Sequence, residues 1–418
     1  MVWIHGGGFR GGSNDIAGEV FIREHTNSNT PIVVALNYRL GPLGFFSHKS
    51  IKGKYANFAL LDMVAALEWV QTNIEGFGGD PDNVTIFGVS AGGMAVNMLM
   101  TSPLSEGLFH KAIAQSGYGT WPLSHTRHAK RRPALDLDGA TLQSAERISA
   151  NLIKTISSNR QTRQMLYSLD GLTIVNALDG FQLPYVDGHT LKAEPGIRFR
   201  QNKQHRVPFI TGGNSNEGSV MPSSGVAVES FSEGFGPDQK AINKLYARDF
   251  ARDELSGWMR VFGDLRYLLA ARVQGDAMSS SASASEDGSP TWLYYVDLVP
   301  DAYKSKWIGT PHGMDAWLLF NGHTSVETEI VNFTERMRSY WLNFAFTGDP
   351  NTGPERTDRH AVSEDKPNTT YWPRYTPDTR PWLYMGATPE GRPDIIKQKL
   401  DLLEDRYNKR IRPAVRSR

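Results

Sequence analysis

Apolar positions in the first two hundred residues come in short unbroken runs, separated by stretches with helical spacing. Val2–Ile4, Ile32–Leu36 (IVVAL) and Val84–Phe87 (VTIF) are runs of strand length. Ala112–Ala114, Pro208–Thr211 and Thr291–Val296 (TWLYYV) continue the series. IVVAL carries no polar position and reads as a buried strand. Between these runs, Leu60, Leu61, Val64, Leu67, Trp69 and Ile74 mark a helix over residues 57–74, and Ala145–Ile156 reads as another. Strand alternating with helix predicts an α/β protein with a mainly parallel central sheet and helices on both faces.

Two stretches interrupt the alternation. Residues 120–200 are polar, with a basic patch at Arg127–Arg132, and residues 220–290 end in the serine-rich run AMSSSASASEDGSP at 277–290. Both read as excursions between core strands of one domain spanning 1–418, and the serine-rich run as a surface loop. Ile395, Leu400, Leu403, Tyr407 and Ile411 fall on one face of a C-terminal helix, followed by a basic tail.

Composition narrows the class without deciding it. Hydrophobic residues make up 39% and charged residues 21% of 418, as in a globular protein. A net charge of +1 argues against a nucleic-acid partner. No apolar run reaches the roughly 18 residues that a membrane span needs. With no cysteine there can be no disulfide, thiolate nucleophile or cysteine-based metal site. The absence leans towards a cytoplasmic setting, as does the lack of a signal-peptide pattern at Met1.

Candidate chemistry begins at Gly88-Val89-Ser90-Ala91-Gly92, a G-x-S-x-G match. Its context strengthens it: a strand precedes it and a helix-forming run, Gly93–Leu99, follows. A strand–serine–helix elbow lifts a hydroxyl to the top of a sheet. His5-Gly6-Gly7-Gly8-Phe9 follows another strand, where a glycine run lets backbone N–H groups approach an oxyanion. The Gly6-x-Gly8-x-x-Gly11 spacing also fits a dinucleotide fingerprint, but the next strand ends in Asn37 and Tyr38 rather than an acidic residue. A serine nucleophile needs a base, and the base an orienting acid. Of eleven histidines, His312, His323 and His360 lie far enough downstream. His312, in Gly309-Thr310-Pro311-His312-Gly313, is favoured. Glu217, in the loop after Pro208–Thr211, is the favoured acid over Asp187 and Asp315.

Together these segments resemble the type-B carboxylesterase/lipase family, which includes cholinesterases and bacterial para-nitrobenzyl esterases. The resemblance runs in family order through VWIHGGGF, NYRLGPLGFF, FALLDMVAALEWVQTNIEGFGGDPDNVTIFGVSAGG, SPLSEGLFHKAIAQSG, GGNSNEG, GTPHGMDAWLLF and YWLNFAFTGDPN. It implies an α/β-hydrolase fold and carboxylic ester hydrolysis through a Ser90–His312–Glu217 triad, with no metal or cofactor. It implies an oxyanion hole of Gly7, Gly8 and Ala91, and Ser116 and Asp315 as supporting groups near the histidine. Trp121 falls near the family's acyl pocket, and Arg39 with Asp62 resembles an ion pair under the sheet. The partner is then a small ester with fairly apolar groups, on the strength of Phe9, Trp121, Trp317 and Phe320. A silent adhesion-type protein or an inactive fragment is the alternative, against which all three triad residues weigh.

Three departures from the family stand out. Val89 replaces an acidic residue before the nucleophile, and Met63 replaces a glutamine. The family's first strands have no counterpart before VWIHGGGF, so Ile32–Tyr38 is expected to form a sheet edge prone to pairing with another chain.

Overall fold

The computed structural model describes residues 1–22, 30–51, 57–127, 142–178, 180, 182–279, 289–353 and 370–415. Eight strands form one sheet: β1 (Val2–Ile4), β2 (Val34–Leu36), β3 (Thr85–Val89), β4 (Lys111–Gln115), β5 (Phe209–Asn214), β6 (Thr291–Val296), β7 (Pro381–Met385) and β8 (Glu390–Pro393). Their order is β2-β1-β3-β4-β5-β6-β7-β8. All neighbours pair in parallel except β8, which runs antiparallel to β7. The expected parallel sheet with helices on both faces is therefore present; β7 and β8 were not anticipated.

Successive residues of a strand point to opposite faces, and the sequence fills both. Ile4, Ile86, Ala112, Phe209 and Leu293 join a core with the helices Phe58–Asn73, Ala91–Leu99, Leu269–Ser279 and Lys397–Val415. Trp3, Phe87, Ile113, Ile210 and Tyr294 point the other way, onto the helices Met314–Asn321 and Thr328–Thr347. Burial on both faces explains why the parallel strands read as unbroken apolar runs.

IVVAL is the exception. Only Val34–Leu36 is strand, it occupies the sheet edge, and Leu36 alone of the three is fully buried. The apolar run thus belongs to an edge, as the resemblance implied, and not to a strand buried between neighbours. The loop at Asn14 approaches it: its side chain donates to Ala35 O at 3.4 Å and its N–H to Asn37 Oδ1 at 2.8 Å. Arg39 and Asp62 do pair, at 2.7 Å, but with side chains 49% and 25% exposed. They form a surface pair beside the sheet rather than one under it, of a kind worth about 1 kcal/mol or less.

Segments 116–208 and 215–290 connect β4 to β5 and β5 to β6. The second is less of an excursion than its composition suggested: Leu269–Ser279 is a buried helix against the sheet, and it absorbs the start of the serine-rich run. Most of that run, and most of the Arg127–Arg132 patch, lies outside the described residues. The C-terminal helix extends to Val415, leaving little of the expected tail. Among the described residues no helix is long and apolar enough to cross a membrane.

An ion cluster ties the C-terminal helix to this core. The fully buried Arg272 side chain donates to Asp394 (3.3 Å), Asp401 (3.0 Å) and Glu404 (2.6 Å). Removing one partner of a buried pair strands the others without compensation. Arg272→Met is therefore expected to lower the unfolding free energy by about 3 kcal/mol, read from urea denaturation; a loss under about 1 kcal/mol would show that water already solvates the carboxylates.

Candidate active site

The carboxyl ends of β1, β3, β4, β5 and β6 converge on one cavity of about 800 Å³. Gly6, Gly7, Gly8, Ser90, Tyr118, Trp121 and His312 are among its walls.

Ser90 stands between β3 and the helix Ala91–Leu99 with φ 59° and ψ −119°, a conformation that a non-glycine residue holds only under constraint. The constraint is packing. Ser90 N–H donates to Gln115 O (2.9 Å) and Ser90 O accepts from Met94 N–H (2.8 Å). Gly92 lies so close to β1 that a Cβ there would sit 2.0 Å from Ile4 O. This explains the second glycine of the G-x-S-x-G motif by contact with the neighbouring strand.

The glycine loop after β1 is braced from below. Tyr38 stacks on His5 at 4.3 Å and donates its hydroxyl to His5 O at 2.8 Å. Gly7 has φ 103°, and a Cβ there would meet Gly11 O at 2.3 Å. The Gly7 carbonyl accepts from Arg10 and Gly11 N–H, whereas the N–H groups of Gly7, Gly8 and Ala91 donate to no group among the described residues. Phe9 is not on the cavity wall. It is fully buried against Tyr38 and Phe45, so its role is to anchor the loop rather than to touch a ligand. Phe320 likewise packs in the opposite core against Trp3, and Trp317 is 54% exposed elsewhere. Of the four aromatic residues expected near substrate, only Trp121 lines the cavity.

Glu217 follows β5 and is buried. Its Oε1 accepts from the Ser116 hydroxyl (2.6 Å) and the Asn214 N–H (2.6 Å), while Oε2 pairs with His312 Nδ1. His312 Nε2 has no hydrogen-bond partner among the described residues, and the histidine faces the cavity that Ser90 lines. The histidine loop is sewn to the acid loop: His312 N–H donates to Ser219 Oγ (2.9 Å), Asn216 N–H to Thr310 O (2.8 Å) and Thr310 N–H to Ser215 Oγ (2.8 Å).

Ser116, expected near the histidine, bonds the acid instead. Asp315 does not touch the histidine. It lies a layer deeper, accepting from Gln115 (3.0 Å), Asn214 (3.0 Å) and Tyr294 (2.7 Å). Because Asn214 also bonds Glu217, Asp315 supports the acid at one remove. Burial, together with this carboxylate, raises the Tyr294 phenol well above its ordinary range. Asp187 is tied instead to Asn57 and Thr190, away from the cavity walls. His323 receives an Arg338 N–H at 3.4 Å, and His360 lies outside the described residues.

Several wall residues carried no motif. Tyr267 lies 4.6 Å from the His312 ring, and burial raises its phenol above the ordinary value. Arg266 and Tyr267 leave a π-helical turn, Asp264–Leu268, that nothing in the sequence announces. Trp121, Leu183 and Val226 separate this cavity from a second, of about 340 Å³, and line both.

Comparisons with known proteins give the family and the fold. The profile of the carboxylesterase family matches residues 1–403. The para-nitrobenzyl esterase of Bacillus subtilis (strain 168) is 30% identical over 96% of this chain and 78% of its own. Carboxylesterase 1D of Rattus norvegicus is 32% identical over 94% and 70%. A solved structure of a PNB esterase superposes with a TM-score of 0.71 at 28% identity, covering 96% of this chain and 81% of the other.

The elbow's packing can be tested without any substrate. Gly92→Ala is expected to destabilise the fold by about 3 kcal/mol or more, since backbone and not a flexible side chain must move. Gly76→Ala, where a Cβ meets nothing within 4 Å, should be near neutral. Melting temperatures of the two variants check this; equal values would mean that the elbow has room.

Proposed function

Since this chain belongs to the carboxylesterase family and hydrolyses carboxylic esters, we propose that Ser90, His312 and Glu217 are its catalytic triad and Gly7, Gly8 and Ala91 its oxyanion hole. One observation carries the reading. Glu217 holds His312 by Nδ1, and the free Nε2 is left at the cavity that Ser90 lines.

The steps follow from that arrangement. His312 Nε2 takes the Ser90 proton as Oγ attacks the ester carbonyl. Glu217 fixes the imidazole tautomer and offsets the imidazolium charge; the Ser116 and Asn214 bonds keep that carboxylate aimed. The three N–H groups receive the oxyanion of the tetrahedral intermediate, where one such donor is worth about 10²–10³ in rate. The intermediate collapses to an acyl-Ser90 as His312 protonates the leaving alcohol. Water then repeats the cycle in reverse roles and frees the acid. Val89, on the cavity wall, gives this site an apolar flank in place of the family's usual acidic residue.

Ser90→Ala is expected to reduce kcat for a short-chain nitrophenyl ester by about 10⁴-fold or more, and a fluorophosphonate probe should label Ser90 alone. Retention of most activity by Ser90→Ala would remove the mechanism.

The acid assignment makes a graded prediction. Glu217→Gln should lower kcat strongly, Ser116→Ala by about tenfold together with a loss of about 1–3 kcal/mol in stability as a buried carboxylate loses a donor, and Asp187→Asn should lower kcat least. Asp187→Asn exceeding Glu217→Gln in damage would reassign the acid.

A further inference from the structure

The cavity above Ser90 carries a charge that the triad does not use. Its lining includes Arg10 and Arg266 but neither Asp nor Glu, while Glu217 is buried behind His312. Arg10 is exposed and has an interaction partner of its own. Arg266 differs. No carboxylate lies within ion-pair distance of it among the described residues, and its Nε is buried without a hydrogen-bond partner. Its neighbours along the same helical stretch are both neutralised, Arg260 by Asp249 at 3.3 Å and Arg272 by three carboxylates.

Aromatic faces hold the Arg266 guanidinium instead. It lies 4.4 Å from the ring centres of both Tyr118 and Trp121, and 5.5 Å from that of Phe262. Tyr118 also shares a hydrogen bond with the guanidinium, and contact through ring faces leaves its remaining N–H groups for a ligand. Those groups match a carboxylate in a charge-assisted, two-point contact. The π-helical turn at Asp264–Leu268 is what brings Arg266 to this wall together with Tyr267, the residue packed on His312. A wholly neutral ester filling the cavity would cover this half-buried cation and supply no counter-charge for the water it displaces, which is unfavourable.

We infer that Arg266 determines specificity here and that the preferred substrates are esters bearing a carboxylate, which the guanidinium holds while Ser90 attacks the ester carbonyl. The inference rests on Ser90 being the nucleophile at this cavity. The carboxylate can belong to the acyl group or to the alcohol, and matched pairs separate the two. Mono-para-nitrophenyl glutarate is compared with para-nitrophenyl valerate, in which a methyl stands for the carboxylate. On the other side, para-acetoxybenzoate is compared with its methyl ester.

The readout is the ratio of kcat/KM within each pair, charged over neutral, in full-length protein. Wild type is expected to favour the charged member of at least one pair. Arg266→Met should cut that ratio about tenfold, and Arg266→Lys, which keeps the charge but not the planar edge, should restore part of it. If Arg266→Met does not fold, Arg266→Gln supplies the same comparison. A ratio that changes by less than about threefold in both pairs would overturn the inference and reduce Arg266 to a packing residue. Hydrolysis of none of the four esters, or hydrolysis that survives Ser90→Ala, would instead strike the triad reading, and the inference with it.

Discussion

A single buried carboxylate organises the catalytic end of this molecule. Glu217 takes a hydroxyl from Ser116 after β4, an N–H from Asn214 at the end of β5, and the imidazole of His312 beyond β6. A charge held this deep is tolerated only where hydrogen bonds replace its lost water. One donor ends β5, one immediately follows β4, and one sits in the loop between β6 and the helix Met314–Asn321, so the satisfaction of Glu217 ties these three segments together. A slip of register in β5 would carry Asn214 and the acid loop out of line with Ser116 and His312.

Beneath that carboxylate lies a second polar layer. Asp315 accepts from Gln115, Asn214 and Tyr294, and Gln115 in turn accepts from the Trp341 indole at 3.3 Å. This links the helix Thr328–Thr347 to the acid loop through side chains alone. Each of these side chains is bonded to at least one other, although Asn214 Oδ1 has no partner among the described residues. Here they let an apolar helix face and a charged site share one sheet, with the acid braced from the side away from the cavity.

Much of this was legible in the sequence because backbone demands leave marks. Gly88, Gly92 and Gly7 are visible as glycines, and their contacts explain why nothing larger stands there. The parallel strands were visible because burial on both faces strips them of polar positions. IVVAL shows the limit of that signal: composition cannot tell a strand buried between neighbours from one at an edge with its faces half covered. Phe9 and Phe320 show another limit. Proximity to a motif says nothing about which side of the backbone a ring takes, and both turn into the core. Asp315 was recognisable as important, but its distance from the histidine depends on helix phase. Arg266 was invisible because it lies in no motif; what makes it unusual is the carboxylate it lacks, which only packing reveals.

The wide turn at Asp264–Leu268 also divides one continuous helix into two segments with different duties. Upstream, Gly263 packs so tightly on the acid loop that a Cβ would meet Gly218 N at 2.5 Å. Downstream, Leu269–Ser279 buries its apolar side on the sheet. A regular helix advances about 100° per residue, so one residue accommodated in the wider turn offsets the two segments by roughly that angle. Each can then face its own neighbour. Deleting any one residue from this turn would bring the segments into a common phase, and only one of the two surfaces could keep its fit. The length of that five-residue turn is accordingly as constrained as the side chains it presents to the cavity.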